Sequence, residues 1–338
     1  MPKKGAAKVS SPVNDFFVVG SSTLDIIAKT KDAERVDIAG KHAEHLVCIS
    51  FASKSELSAI SISPGGSALN SSVALRALGS SVCLLSAVGK DEFGKLVFDS
   101  LARAGISSSN IKAFGNVQTG VGLVLLMGGE KSVLVFRGAN SLLGPSDVSD
   151  VLIKNAKQVF ISTLVSTSNF KLFEKIVLLA KKHNKPVIFA PSISTLHSWL
   201  PKIRSLHSSF NMVIVNYEEG SYYTGKTNVK EILKALPGKV VVVMKDFDGA
   251  YAQERGKSPY HVKAVPVAVR STAGAGDAFS AAFVHSYYGG ESIEESLKVA
   301  ASTAALKLSH TGAQFAFNKV VLHNFMKHHS SSLVVRRL

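Results

Sequence analysis

Apolar runs of strand length alternate with amphipathic stretches along most of the chain. DFFVVG (15–20) reads as a first strand, residues 68–78 carry helical spacing, and VCLLSAVG (82–89) reads as a second strand. In DEFGKLVFDSLARAG (91–105), Phe93, Leu96, Val97 and Leu101 recur at helical intervals and a glycine ends the run. QVFIST, PVIFA, MVIVN and KVVVVM supply further strands, with helices predicted at 169–183, near 229–236, at 277–288 and at 293–309. Strands this apolar are buried on both faces. The pattern therefore predicts an α/β chain, a three-layer α/β/α sandwich around a mostly parallel sheet. In such sheets the loops leaving the strands gather along one edge, where ligands bind.

Two segments break the rhythm. Residues 29–64 hold HLVCISF and ELSAISISP, which alternate like strands with one exposed face, and 120–137 reads as a hairpin turning at Gly128–Gly129. Both fit a small β-sheet lid carried by one domain spanning 1–338, with loose tails at 1–13 and 330–338.

Composition sets the scale. With 338 residues, 46% of them hydrophobic, the chain can bury a large core. No apolar run approaches the roughly 18 residues a membrane span needs, and FFVVG is too short for the core of a secretory signal. The net charge of +15 is scattered, without aromatic interleaving or a nucleic-acid motif. It reads as solvated surface charge that also favours an anionic small substrate, and nucleic acid is not the expected partner. Cys48 and Cys83 have no metal-ligand spacing and read as buried or partly buried thiols of a reducing compartment, which predicts a cytoplasmic location.

One stretch stands out chemically: STAGAGDAF, Ser271–Phe279, small residues and a lone acid ahead of a helical run. The first amides of a helix lack intrahelical partners and sit at the positive end of its dipole. Small residues let an anion approach that backbone, so Ala273, Gly274, Ala275 and Gly276 form a candidate anion cradle. Asp277 beside it can take a proton from a substrate hydroxyl while the cradle holds a phosphoryl group. Read alone, Asp277 serves equally well as a first-turn acid that stabilises its helix. No Walker-type GxxxxGK[ST] occurs, so phosphoryl transfer would take another route. A glycine pair, Gly65–Gly66 in SPGGSALNSSVALRALG, precedes a second helix start carrying Asn70.

Together these stretches resemble the two signatures of the ribokinase (PfkB) family of carbohydrate and nucleoside kinases. Gly65, Gly66, Ala68, Asn70, Ser72, Gly79 and Gly89 fall at the spacing of the first, and Ser271 through Val284 match the second. The resemblance covers almost the whole chain. It implies a ribokinase-like fold and an ATP- and Mg2+-dependent phosphotransferase acting on a primary hydroxyl, with a ribose-containing sugar or nucleoside favoured. It implies Asp277 as base and residues 273–276 as anion hole. Asp25, in VGSSTLDI, matches the acid that binds sugar hydroxyls; Gly65, Gly66, Asn70 and Asn140 (in FRGAN) complete the acceptor site. Asn216 and Glu219, in NYEE, look like the pair that faces the phosphates and organises magnesium through water; alone they read as a helix cap and an exposed acid. Lys245 and Gly249, in KDFDGAYA, and Gly312, in SHTGAQ, fall in nucleotide-binding loops. Relatives often pair their lids, which implies a homodimer through the lid.

The chain also departs from the family pattern. Ser271 stands where potassium-activated relatives carry an aspartate, which removes an expected ligand of a monovalent cation. Lys245 and Asp246 replace a hydroxyl residue and a glycine, and Lys245 reads either as a phosphate ligand or as a solvent-facing lysine. A phosphorylated sugar fits less well for want of a basic cluster in the substrate loops, where Lys41 and Arg137 are the candidates. The competing reading is a catalytically silent binder of a nucleoside, a nucleotide or a polyanion on the same fold.

Overall fold

Phe16 and Val18 are buried on one face of the first strand, Phe17 and Val19 on the other. Burial on both faces requires helices above and below the sheet, and that is the architecture found. The computed structural model describes residues 13–30, 33–38, 44–51, 54–127 and 130–338. The expected tail at 1–12, the turn at Gly128–Gly129 and Lys41 lie outside the described residues.

The N-terminal half contains β1 (Asn14–Val19), β2 (Thr23–Thr30), β3 (Ala33–Ile38), β4 (Glu44–Ile49), β5 (Leu57–Gly65), α1 (Ser67–Ala77), β6 (Val82–Gly89) and α2 (Glu92–Ala104). There follow β7 (Ile111–Phe114), β8 (Gly120–Met127), β9 (Glu130–Phe136), α3 (Asp150–Lys154), β10 (Ala156–Ile161), α4 (Thr167–Lys182) and β11 (Val187–Phe189). Next come α5 (Ile193–Ser205), β12 (Met212–Asn216), α6 (Tyr217–Thr224), α7 (Val229–Ala235), β13 (Val240–Lys245), β14 (Gly249–Glu254) and β15 (Tyr260–Val262). The chain closes with α8 (Ala275–Tyr288), α9 (Ile293–Leu308), α10 (Lys319–His328) and β16 (Val335–Arg337).

The large sheet has ten strands in the order β16-β15-β14-β13-β12-β11-β10-β1-β6-β7. From β13 to β7 every pairing is parallel, and β14, β15 and β16 add an antiparallel edge. One buried cluster joins the sheet to α1, α2, α8, α9 and α10; a second joins the opposite face to α3 through α7. This is the three-layer sandwich that the apolar runs predict.

A second sheet, ordered β5-β2-β8-β9, stands off the first, and β3 pairs with β4 alone. It begins earlier than the expected lid boundary at residue 29. The chain leaves β1 at Val19 and by Thr23 has already changed sheets. Two further expectations are corrected. Residues 335–337 are not a loose tail: Val335 pairs with Val262 and Arg337 with Tyr260, and Leu333 is buried beside them. Cys83 is buried as expected, but Cys48 is exposed, on a strand that among the described residues pairs with β3 alone.

Candidate active site

α1 and α8 both begin at one cavity of about 860 Å³, roofed by Ile27, Val124 and Val135 of the second sheet. Gly274 caps α8 with a left-handed backbone (φ 76°), and a Cβ there would strike the Ala313 carbonyl. Only glycine meets both conditions, and it turns the chain so that the first amides of α8 face the cavity end of the helix. Ala273 and Gly274 line the cavity, whereas Ala275 and Gly276 sit in the first helical turn behind them.

Asp277 occupies that same turn. Its Oδ2 accepts a hydrogen bond from Asn70 Nδ2 at 2.8 Å, which ties α8 to α1. The Asn70 amide is itself oriented from behind: Ser100 Oγ donates to Gln314 Oε1 at 2.6 Å, and Gln314 Nε2 donates to Asn70 Oδ1 at 3.4 Å. Burial pushes the Asp277 pKa up to about 6; the nearby Asp25 charge adds to the rise, and the bonds from Asn70 and Ser67 oppose it. A carboxyl with that pKa is ionised and basic at neutral pH.

Asp25 lies across the cavity on β2, between β5 and β8. A Cβ on Gly65 would collide with its carboxylate, and one on Gly122 would approach it at 3.0 Å, so two glycines make the slot that holds it. Thr23 Oγ1 donates to Asp25 Oδ1 at 3.1 Å, and burial raises its pKa above the ordinary carboxylate value. Gly66, the N-cap of α1, lines the floor. Asn140 lines the cavity too, yet its amide is engaged with backbone: Oδ1 accepts from Ser22 N at 3.0 Å, and Nδ2 donates to Ser22 O at 2.7 Å. It fastens the return from the second sheet (Gly138–Leu142) to the point where β2 departs.

The predicted nucleotide residues fall outside the lining of this cavity, except Gly312, which lines it. Asn216 caps α6: its Oδ1 accepts from Glu219 N, and Glu219 Oε2 accepts from Asn216 N, both at 2.8 Å. Glu219 is not the exposed acid of the simpler reading. Burial raises its pKa to about 7, with Glu218 and Asp277 adding repulsion, and its carboxylate also accepts a backbone bond from Ile193. Lys245 lies 3.3 Å from Asp248 and over the Tyr217 ring, and Gly249 opens β14 at the next turn. For magnesium the donor chemistry fits: Glu219, its pKa raised by burial and by the nearby Glu218 and Asp277, is relieved by a nearby cation. Among the described residues no group of three or more His, Cys, Asp or Glu side chains could hold a metal ion.

Several lining residues carried no signal in the sequence. Thr163 comes from the loop after β10, and Ser192 and Ser194 from the N-cap and first turn of α5, after β11. The cavity also gathers Lys29, Arg137 and Arg270 from three distant segments, a basic set that the substrate loops were not expected to hold. Arg137, named with Lys41 as a basic candidate in the sequence, is half-buried, and among the described residues no carboxylate pairs with it.

The sequence pattern of the pfkB family carbohydrate kinases matches residues 17–319. The 5-dehydro-2-deoxygluconokinase of Clostridium tetani is 31% identical over 277 residues, 76% of this chain and 81% of that one. The ribokinase of Bacillus subtilis is 24% identical over 304 residues, 89% of this chain and 95% of that one. The structure of Arabidopsis thaliana ribokinase complexed with ribose and ATP superposes with a TM-score of 0.75 at 24% identity, covering 93% of this chain and 99% of that chain. On the family match over residues 17–319 and these relatives, the chain belongs to the pfkB family of carbohydrate kinases and is a kinase of a sugar or nucleoside.

Proposed function

We propose that the cavity binds a sugar or nucleoside, a ribose-containing one by preference, and that ATP phosphorylates its primary hydroxyl. Asp25 and the backbone at Gly65–Gly66 hold the acceptor's hydroxyls, and Asn70 orients the reacting one. Asp277 takes the proton from that hydroxyl as its oxygen attacks the γ-phosphate of ATP. The amides of Ala273, Gly274, Ala275 and Gly276 stabilise the charge on the group in transit. Asn216, Lys245, Gly249 and Gly312 line the path of the nucleotide. Mg2+, held by the phosphates and by Glu219 through water, would neutralise phosphate charge. The second sheet closes as a lid and keeps out water, the competing nucleophile.

The observation that carries this reading is the pairing of Asp277 with Asn70 across from Asp25 in a single cavity. It is tested by coupled nucleotide turnover over a panel of ribose, fructose, common nucleosides, sugar phosphates and sugar acids. One acceptor should turn over, with a loss of roughly 10²-fold or more in Asp277→Asn. Ligand binding without turnover would favour a silent nucleoside-binding protein. The panel includes anionic sugars because of Lys29, Arg137 and Arg270: an unpaired, half-buried guanidinium facing an acceptor site suits a phosphate or carboxylate.

Assembly and location belong to the same proposal. Leu57, Ile60, Ile62 and residues Val133–Phe136 leave the second sheet with exposed apolar side chains, which supports a homodimer through the lid. Light scattering of the wild type and of Leu134→Lys tests it. Among the described residues no helix is long and apolar enough to cross a membrane, and a cytoplasmic location suits an enzyme drawing on ATP.

A further inference from the structure

Lys307 is the one lysine that is fully buried among the described residues. It lies in the last turn of α9, inside an otherwise apolar run, and among the described residues no carboxylate pairs with it. Its Nζ is placed to donate to the carbonyls of Ser271 at 3.4 Å and His310 at 3.5 Å. Burial lowers its pKa to about 8, so it still carries its charge at neutral pH. An unpaired buried ammonium costs stability, and an apolar side chain of the same size would cost less.

Its surroundings suggest why the charge is kept. Ser271 opens the loop that becomes the cradle, and His310 opens the loop carrying Gly312 and Ala313. The two loops already touch, since Gly274 packs on the Ala313 carbonyl. The amides of Arg270 and Ser271 both donate to Leu308 O, at 2.8 and 3.3 Å, at the end of α9. The C-terminal end of a helix is the favourable place for a cation.

We propose that Lys307 is a built-in cation that positions the anion cradle: its ammonium draws the Ser271 and His310 carbonyls inward and sets a fixed positive charge behind the transferred phosphoryl group. It rests on the kinase reading of the site, in which residues 273–276 receive that group. It also supplies a reason for Ser271. A covalently attached charge between these carbonyls takes over what a bound monovalent cation and its carboxylate ligand would do, so the wild type should turn over equally in potassium and tetramethylammonium salts.

The test uses Lys307→Met and Lys307→Ala in the full chain, with three readouts: Tm, turnover, and binding of inorganic phosphate followed as a phosphate-dependent rise in Tm. Both variants should lose about tenfold in kcat and in phosphate affinity. Lys307→Met should keep or raise Tm, because a buried charge has gone. Ammonium or methylammonium should restore much of the activity and phosphate binding of Lys307→Ala, and none in Lys307→Met, whose side chain fills the space. Phosphate affinity and turnover within about twofold of wild type in both variants would overturn the proposal. So would losses that follow a fall in Tm and resist amine rescue, since the lysine would then be only structural. A wild type that turns over no acceptor would sink the kinase reading alone, because phosphate binding still reports on Lys307.

Discussion

Asn70 and Asp277, 207 positions apart, are joined by a hydrogen bond of 2.8 Å that locks the first turn of α8 to that of α1. An amide can face a carboxylate with either end, and the relay from Ser100 through Gln314 occupies the Asn70 oxygen and leaves the nitrogen for Asp277. Orientation of the Asp277 carboxylate is thus set from the protein interior.

Removing that donor should raise the Asp277 pKa further. In Asn70→Ala the acid limb of the rate profile should move to higher pH and kcat should fall by roughly 10- to 100-fold. Asn70→Asp should be worse, since two adjacent carboxylates resist joint ionisation. Gln314→Ala should shift the limb less, as it frees the Asn70 amide to turn. A pH–rate series on the three variants checks this, and an unmoved limb in Asn70→Ala would remove Asp277 from the role of base.

The raised pKa also has a sign for stability. A carboxyl whose folded pKa lies above its unfolded one stabilises the fold when protonated. For Asp277 that contribution is present below about pH 4 and lost as pH rises through about 6. Asp277→Asn has no such titration, so its Tm relative to wild type should climb between about pH 4 and pH 7 and then level off. Thermal melts across that range decide it; a difference independent of pH would contradict the burial of an ionised Asp277.

Much of this arrangement was legible because it is local. Continuous apolar runs such as Val240–Met244 specify central strands, and the small residues before Asp277 specify a helix start open to an anion. What was not legible depends on distance. DFFVVG reads as a strand, but nothing in the residues after it tells that the chain, past Gly20 to Ser22, enters another sheet at Thr23. The helix α5 was missed because Pro201 and polar residues blur its spacing. The three-residue strand β16 is too short to show a period, and its pairing with β15 and the burial of Leu333 depend on elements far away in the chain. Glu219 meets groups distant in sequence, a backbone bond from Ile193 and the charge of Asp277, and the basic lining of the cavity comes from Lys29, Arg137 and Arg270, each from a different part of the chain. Lys307 left a visible mark, a lone charge at an apolar position of a helix, but its partners lie in loops.

Gly65 tests the acceptor side. In Gly65→Ala the added methyl meets the Asp25 carboxylate and must displace it. Acceptor kcat/KM should fall by about 10²-fold, close to the loss in Asp25→Asn, while KM for ATP stays near wild type. Steady-state kinetics against each substrate separates the two; a parallel rise in KM for ATP would mean that the substitution unfolds the second sheet.

Asn140 should behave as a structural fastening. Asn140→Ala leaves both polar groups of the Ser22 backbone without their buried partner, a cost of about 1–3 kcal/mol. Tm should fall and the acceptor KM should rise as the second sheet loses its anchor. Denaturant unfolding with acceptor titration checks it. Full stability with a selective loss of acceptor binding would reassign Asn140 to direct substrate contact.

Arg137 divides neutral from anionic acceptors. It lines the cavity, and burial disfavours its charge with no carboxylate among the described residues paired to it. If the acceptor brings a phosphate or carboxylate, Arg137→Met should raise its KM by roughly 10- to 100-fold, the worth of a charge-assisted bidentate contact, and leave kcat near wild type. If the acceptor is neutral, the same change should alter KM by less than about threefold and raise Tm, because an unpaired buried cation has been replaced by an apolar chain. Acceptor KM and Tm measured on that one variant therefore tell which kind of molecule the cavity is built to take.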